Sequence, residues 1–127
     1  MGCSYYTQKY KILVNRLITE VEINDLFGHG SKISALWDTG ATSSCISEEI
    51  AKKCGFPATG KMQINTPSGS SIQNTYAIDV ILPNGDKIEG IQVCDSKIKN
   101  QGIDMLIGMD VILRGDISIS NYNNKTY

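Results

Sequence analysis

The stretch Leu36-Trp37-Asp38-Thr39-Gly40-Ala41 decides how this chain is interpreted. Residues 33–37 form a short apolar run, and a run of this length next to turn residues is typical of a buried strand. The strand carries a carboxylate directly into a loop of small residues. Gly40 allows another backbone to approach closely, and Thr39 supplies a hydroxyl. The same tripeptide also occurs in ordinary turns after strands, so the loop alone does not decide between a catalytic and a structural role.

A second motif near the end of the chain favours the catalytic interpretation. It is Leu106-Ile107-Gly108-Met109-Asp110. Its apolar pair and glycine precede residues 109–114, which can form one or two helical turns before Gly115. With these two motifs in this order, the chain resembles the retropepsin-like aspartic proteases, which include the retroviral proteases and their single-domain bacterial and cellular relatives. The resemblance covers residues 31–121, which is most of the chain.

The resemblance implies a mostly β, single-lobe acid protease fold, which is a closed or partly open β-barrel with two short helices. In that family the apolar-apolar-glycine strand end passes beneath the catalytic loop, and a short helix and a last strand follow it. Here residues 109–114 would be that helix and residues 116–120 the last strand. We divide the one structural domain into an N-terminal arm with strands (residues 1–30), the protease domain (31–121) and a C-terminal tail (122–127).

Local patterns outside the two motifs also indicate a chain of strands. Residues 17–23 alternate between apolar and polar side chains, which predicts a half-buried strand, and residues 10–14 are β-prone. Residues 61–65 and 71–82 are predicted strands on either side of a turn. A further strand, residues 87–93, would return from a second turn.

One helix and one tight turn carry specific signals. Ser47 is a predicted N-cap for a helix over residues 48–54, and Gly55 suits the position just past its last turn. Asn84-Gly85 predicts a two-residue hairpin turn, because both residue types accept the positive φ angles that such a turn needs.

The resemblance implies a pair of catalytic carboxylates that share a proton. One, ionised, takes a proton from water while the other, protonated, polarises the scissile carbonyl. The chain contains one Asp-Thr-Gly loop and no internal repeat. We therefore expect a two-fold homodimer in which Asp38 of each copy meets its twin at the axis. In this family Thr39 would bond across the axis and Gly40 would present its carbonyl to the substrate, while Ala41 completes the loop.

A hairpin candidate between the two motifs lies where the family has its flap, with its tip at residues 66–71. An ordinary exposed hairpin is the alternative interpretation. The substrate would be an extended polypeptide that pairs with strand edges. The predicted substrate contacts, from the flap and the apolar subsites, are Leu36, Thr66, Pro67, Ser68, Gly69, Ser70, Ser71, Ile72, Leu106 and Ile107.

The chain also departs from the retroviral pattern. Retroviral members have acidic residues just after the alanine of the catalytic loop, and Thr42 and Ser43 stand there instead. The viral helix begins Gly-Arg-Asn or Gly-Arg-Asp, whereas this one begins Gly108-Met109-Asp110. The Arg–carboxylate brace of the viral enzymes is therefore not expected here.

The charge and residue composition of the chain limit the classes of partner and cofactor that we expect it to bind. The 127 residues suit one domain, and 12 basic against 13 acidic residues give a net charge of −1. This balance argues against a nucleic-acid partner and against a polybasic membrane anchor. The chain has a single histidine and no Cys-x-x-Cys pair, so we expect no metal and no cofactor.

No apolar run follows Cys3 and no stretch has the length of a membrane span, so we expect a cytoplasmic protein without membrane contact. Its cysteines would then be reduced thiols packed as small apolar side chains. They are Cys3, Cys45, Cys54 and Cys94.

The sequence thus predicts an aspartic endopeptidase, active as a homodimer, with water activated between two Asp38 carboxylates. The main alternative is a non-catalytic dimeric module of the same fold that binds peptides. A cysteine hydrolase using Cys45 or Cys54 with His29 and a purely structural β-domain are two further alternatives.

Overall fold

The computed structural model describes residues 4–127, apart from the side chains of Thr66 and Asn100. Cys3 and the first residues of the predicted arm lie outside this range. The elements are β1 (Ile18–Asn24), β2 (Gly30–Trp37), β3 (Cys45–Ser47), α1 (Glu48–Cys54), β4 (Gly60–Thr66), β5 (Gly69–Ile81), β6 (Lys87–Ser96), a 3₁₀ turn (Lys99–Gln101), β7 (Met105–Ile107), α2 (Met109–Ile112), β8 (Asn121–Tyr122) and β9 (Lys125–Thr126).

Six strands close into a barrel in the order β1-β2-β7-β3-β6-β5, and β5 pairs with β1 to complete the circuit. Strand β4 lies outside the barrel and pairs with the first half of β5 as a long hairpin. The predicted mostly β barrel with two short helices is confirmed. No helix within residues 4–127 is long and apolar enough to span a membrane.

A β-bulge in β6 lies next to the closure of the barrel. The register of β5 against β6 shifts between Ile78 and Val80, where Asp79 alone lies opposite Glu89 and Gly90, so β6 carries the extra residue. The Asp79 carboxylate accepts a hydrogen bond from the backbone N–H of Gly90 (2.9 Å), which has a φ of +66°. A bulge bends its strand and increases the local twist, and this one lies beside the position where Asp79 pairs with Asn24 of β1.

The strand pattern of β1 shows how the sequence fills the barrel. Thr19, Val21 and Ile23 are buried, while Glu20 and Glu22 are exposed, which confirms the alternation predicted for this segment. The inward-facing residues of the other strands complete one apolar interior. Its members are Val21, Ile23, Ile33, Ala35, Ile46, Ile50, Ala51, Phe56, Tyr76, Ile78, Val80, Ile91, Val93, Met105, Ile107 and Val111, called the main core below.

Helix α1 has the predicted bounds and both predicted caps. The Ser47 hydroxyl accepts a hydrogen bond from the backbone N–H of Ile50 (3.1 Å), which satisfies one free donor of the first turn. Gly55 follows the helix with a φ of +71°, and its N–H bonds to the carbonyls of Ala51 and Lys52.

The predicted two-residue turn between β5 and β6 is wrong, although the hairpin itself is present. Leu82 donates its N–H to the Asp86 carbonyl and accepts from the Gly85 N–H, so the loop has three residues. Only Gly85 has a positive φ (+90°). A two-residue loop would require Pro83 to donate an N–H to Asp86, and proline has none.

The two chain ends differ most from the prediction. Residues 116–120 do not form the predicted strand, and the β-prone residues 10–14 do not form one either. Instead, β8 and β9 form a hairpin, and residues 10–14 are hydrogen-bonded to Thr126. Thr126 bonds to the backbone of Tyr10 (3.0 Å) and Ile12 (3.2 Å), and its hydroxyl accepts the Val14 N–H (3.1 Å).

We call this arrangement the terminal clasp. Alternating Ile117 and Ile119 favour a strand, but a strand needs a neighbour for its backbone groups, and residues 116–119 have no strand partner within residues 4–127. Ser120 exchanges two backbone hydrogen bonds with Tyr127 (3.2 and 2.8 Å), next to the β8–β9 hairpin. The two isoleucines stay 44% and 53% exposed.

Candidate active site

The Asp38 loop begins where β2 ends. Strand β7 runs parallel to β2 with Trp37 beside Ile107, and the Asp38 N–H donates to the Ile107 carbonyl (2.8 Å). The end of β7 therefore passes directly under the loop. Asp38 is half-buried, and Thr39 and Gly40 are exposed.

The loop fixes the orientation of its own carboxylate. The Gly40 N–H donates to Asp38 Oδ1 (2.9 Å), and the Ala41 N–H donates to the Asp38 carbonyl (3.2 Å). A Cβ on Gly40 would lie 3.2 Å from Asp38 Oδ1, which is tighter than an ordinary contact. Glycine at this position lets the backbone approach the carboxylate closely enough to hydrogen-bond it.

A polar pair, the buried Ser44 and the half-buried Asp110, holds the loop from the other side. Ser44 is fully buried; its hydroxyl donates to Asp110 Oδ1 (2.7 Å) and its N–H donates to Asp110 Oδ2 (3.0 Å). The same hydroxyl accepts the N–H of Gly108 (2.9 Å). Each buried group thus has a partner, as buried polar groups require. We call this network the Ser44–Asp110 bracket.

Helix α2 starts in direct contact with the loop. The Met109 N–H donates to the Ala41 carbonyl (2.8 Å). A Cβ on Gly108 would lie 2.7 Å from that carbonyl oxygen and 2.9 Å from the backbone carbon of Ser43. Any side chain at position 108 would therefore push the loop away.

The bracket was not predicted from the sequence. The sequence pattern assigns Asp110 only to the start of a helix and Ser44 only to the residues after the Asp38 loop. The available signal was a single carboxylate, Asp110, between the apolar residues Met109 and Val111 at the start of a helix. An acid in that setting needs buried hydrogen-bond donors, and Ser44 supplies them.

A second apolar cluster lies on the opposite side of the barrel wall from the main core. It is formed by Cys45, Cys94, Ile98 and Ile103, with Ile18, Leu36, Ile64 and Leu106 packed against it. Strand neighbours share a face, as Leu36 does with Leu106 and Cys45 does with Cys94. Asp38 lies two residues after Leu36, so strand alternation places it on this same face.

The structure brings only some of the predicted substrate contacts to this face. Leu36 and Leu106 belong to the second cluster, and Ile64 and Ile18 join them there without having been predicted. Ile107 is not brought to this face, because it is fully buried in the main core.

The other predicted contacts lie on the β4–β5 hairpin. Residues 67–72 are exposed, and Thr66 pairs with Gly69 across a turn at Pro67 and Ser68. Gly69 has a φ of +130°, a conformation that other residues rarely adopt. The side chain of Thr66 lies outside the described atoms. Ile64, which pairs with Ser71 near the tip, packs against the second cluster, so the outer half of the hairpin lies on the Asp38 side of the barrel.

The cysteines have the properties of inert thiols. Cys45, Cys54 and Cys94 form no disulfide. Burial raises the pKa of the Cys45 thiol to about 11 and also raises the pKa of Cys54. A thiol that stays protonated at neutral pH is a poor nucleophile, and His29 is hydrogen-bonded to Asp25 (2.7 Å). These facts argue against the cysteine hydrolase alternative.

No group of three or more histidine, cysteine or acidic side chains within residues 4–127 could hold a metal ion.

Comparison with known proteins identifies relatives of this arrangement. Residues 19–114 match the family described as "gag-polyprotein putative aspartyl protease". A search of the curated proteins finds no match.

Three solved structures are similar. The simian foamy virus (mac) protease is 25% identical, with 80% of this chain and 100% of that chain covered and a TM-score of 0.56. The EIAV protease complexed with the inhibitor HBY-793 is 20% identical (86% and 97% covered, TM-score 0.60). A retropepsin-like aspartic protease from Rickettsia conorii is 18% identical (95% and 98% covered, TM-score 0.60). Because the family match runs from β1 through α2, the chain belongs to the gag-polyprotein aspartyl protease family and has the retropepsin-like fold.

Proposed function

We propose that this protein is an aspartic endopeptidase that acts as a homodimer and hydrolyses peptide bonds with water activated between two Asp38 carboxylates. The observation that carries the proposal is the position of Asp38 in a chain of this family. It lies half-buried at the end of β2, beside an apolar cluster, with its loop held by the Ser44–Asp110 bracket.

The partner carboxylate would come from a second copy, because the other acids that could serve already have partners. Asp110 accepts from Ser44, and Asp79 accepts from the Gly90 N–H. Asp104 is paired with Lys99 and accepts the Ser34 N–H. A two-fold axis next to the exposed Thr39 and Gly40 would supply an identical Asp38 without disturbing any of these contacts.

In the dimer, the chemistry follows from two carboxyl groups too close to ionise together. One copy's Asp38 takes a proton from water, and the other donates a hydrogen bond to the scissile carbonyl. Thr39 would fix the two loops to each other. The β4–β5 hairpin would close over an extended peptide as a flap and exclude bulk water.

The test is incubation with a peptide library, comparing the native protein with Asp38→Asn. The asparagine amide cannot share or transfer the proton, so we expect cleavage to be lost while the fold and peptide binding are retained. Asp116→Asn, at an exposed position outside the site, is the matched control and should cut the same bonds at the native rate. Undiminished cleavage by Asp38→Asn would disprove the mechanism. Peptide binding without cleavage by the native protein would support the non-catalytic module.

A further inference from the structure

Arg16 is placed beside the catalytic aspartate by the register of the first two strands. Ile18 pairs with Leu36, and the Trp37 N–H donates to the Leu17 carbonyl (2.9 Å), so pairing continues beyond the end of β1. Arg16 precedes Leu17 at a bend in the chain and Asp38 follows Trp37, so the two residues flank the last backbone hydrogen bond of this pairing. Arg16 therefore lies at the end of β1 that is nearest the Asp38 loop, next to the face that carries Asp38.

A side-chain contact independently places Arg16 on that face. Its guanidinium donates to the carbonyl of Gln101 (3.0 Å) at the end of the 3₁₀ turn. This turn lies between Ile98 and Ile103, and both are members of the second cluster beside Asp38. The turn and the arginine therefore border the same surface.

Arg16 carries an uncompensated charge. It is exposed, and the ion pairs present within residues 4–127 are Asp25–His29 and Lys99–Asp104, which leave no carboxylate within 4.0 Å of Arg16. The neighbouring Lys99 is neutralised by its own partner. The residues that follow the catalytic loop, Thr42 and Ser43, are neutral. A guanidinium has five donors, and a single bond to Gln101 leaves others available.

We infer that Arg16 selects peptide substrates with an acidic side chain, Asp or Glu, near the bond that is cut. This inference rests on the proposed function. An extended peptide lying across the second cluster and Asp38 would pass Arg16, which can pair with a carboxylate in a forked geometry. Because a two-fold axis places one Arg16 on each side of the paired aspartates, the preference applies on both sides of the cut.

The experiment uses matched extended peptides that carry Glu or Gln at each position in turn, with kcat/KM measured for each pair. An exposed ion pair contributes up to about fivefold, so we expect a Glu preference of about fivefold at a position on each side of the cut. High salt should reduce it. Arg16→Lys should keep the preference, and Arg16→Gln should abolish it. Arg16→Glu should instead prefer Lys at the same positions.

Arg114 provides a matched control. It is the other arginine of the chain, is also exposed, and also donates to one backbone carbonyl, that of Glu89 (2.7 Å). Arg114→Gln should keep the native Glu preference. A Glu preference that survives in Arg16→Gln, or no Glu preference at any position in the native protein, would overturn the inference.

A second readout separates this inference from the proposed function. The same peptide pairs are titrated against Asp38→Asn and against the double variant Asp38→Asn, Arg16→Gln. We expect Glu peptides to bind more tightly than Gln peptides to the first protein only. Equal Kd values for the Glu and Gln peptides, or no binding by either, would overturn the inference. Absence of cleavage by the native protein would count against the proposed function alone.

Discussion

Ser44 is fully buried, and its hydroxyl accepts a hydrogen bond from Gly108 while donating one to Asp110. Both oxygens of Asp110 are occupied by Ser44. A buried donor or acceptor that loses its partner costs more than an average hydrogen bond contributes, so the network has one favoured arrangement. The position of the loop that carries Asp38 therefore depends on two residues outside that loop.

Removing either member of the bracket should lower stability and turnover together. Ser44→Ala leaves the Gly108 N–H without its partner and removes the hydroxyl bond to Asp110, whose carboxylate keeps the backbone N–H groups of residue 44 (3.0 Å) and Val111 (2.9 Å). Asp110→Asn places an amide NH₂ against one of these N–H donors. We expect each change to cost about 1–3 kcal/mol of unfolding free energy. It should lower kcat more than it raises KM, because the displaced loop carries the reacting group.

Urea unfolding and steady-state kinetics measure these two effects. The double variant should lose less than the sum of the single variants, because both changes break the same network. Ser120→Ala, at an exposed site, is the control. Unchanged unfolding midpoints in both single variants would show that the bracket contributes no stability.

The Asp38 loop could be identified from the sequence as a candidate site because its residues are contiguous and their types are specific. The bracket could not be predicted, since Ser44 and Asp110 are separated by 66 positions and neither is unusual alone. Only the fold brings them together.

At the scale of elements, the junction of β7 and α2 packs against the Asp38 loop through Gly108. Gly108→Ala would place a methyl group 2.7 Å from the Ala41 carbonyl oxygen, where backbone must move to make room. We expect a loss of stability of about 1–3 kcal/mol, typical of overpacking, with a marked loss of kcat. Gly115→Ala is the matched control, because nothing lies within 4 Å of its added methyl group. Equal kcat for the two variants would contradict this account.

The loop between β1 and β2 is built around Asp25. Its carboxylate accepts the backbone N–H groups of Phe27 and His29 (both 2.9 Å) and contacts the His29 ring. Burial alone would raise the pKa of Asp25, but the hydrogen bonds from His29 and Phe27 outweigh it and lower the pKa below its ordinary value.

This lowered pKa predicts a stability change in acid. A carboxyl whose pKa is lower in the folded state contributes stability above its unfolded pKa, and that contribution is lost as pH falls through the folded pKa. Asp25→Asn should therefore be less stable than the native protein at about pH 5, and the difference in Tm should shrink below about pH 4, the ordinary Asp value. Asp116→Asn should show no such convergence. A Tm difference for Asp25→Asn that stays constant with pH would refute the prediction.

The elements that could be predicted are those whose signals are local. Helix α1 has a cap on each side, Ser47 and Gly55, and both lie within one turn of the residues they stabilise. The loop between β5 and β6 has three residues rather than the predicted two. Asn84-Gly85 favours a two-residue turn, but Pro83 lacks the N–H that such a turn would need. The β8–β9 turn was missed, although Asn123 and Asn124 both have positive φ (+54° and +58°), which asparagine accepts readily.

At the scale of the whole molecule, the barrel and the terminal clasp both depend on contacts between distant parts of the chain. Closure joins β1 to β5 at Asn24 and Asp79, next to the bulge in β6, and the clasp joins residues 10–14 to Thr126. The alternation of apolar and polar residues predicts which face of a strand is buried, but it does not predict which strand lies beside it. For the same reason residues 116–119 have the pattern of a strand and no partner strand within the described chain.

The proposed shared site makes activity a property of two molecules, and mixing native protein with Asp38→Asn tests this directly. Random pairing of equal amounts leaves roughly a quarter of the dimers with two native subunits. Mixed dimers have one carboxyl and cannot share a proton across the axis, so they should be inactive. At fixed total concentration and after subunit exchange, we expect roughly a quarter of the native rate, whereas independent monomers would give roughly half. Mixing with Asp116→Asn should leave the rate unchanged. A rate of half in the Asp38→Asn mixture, with no loss of specific activity on dilution, would place the whole catalytic apparatus in one subunit and exclude the shared site.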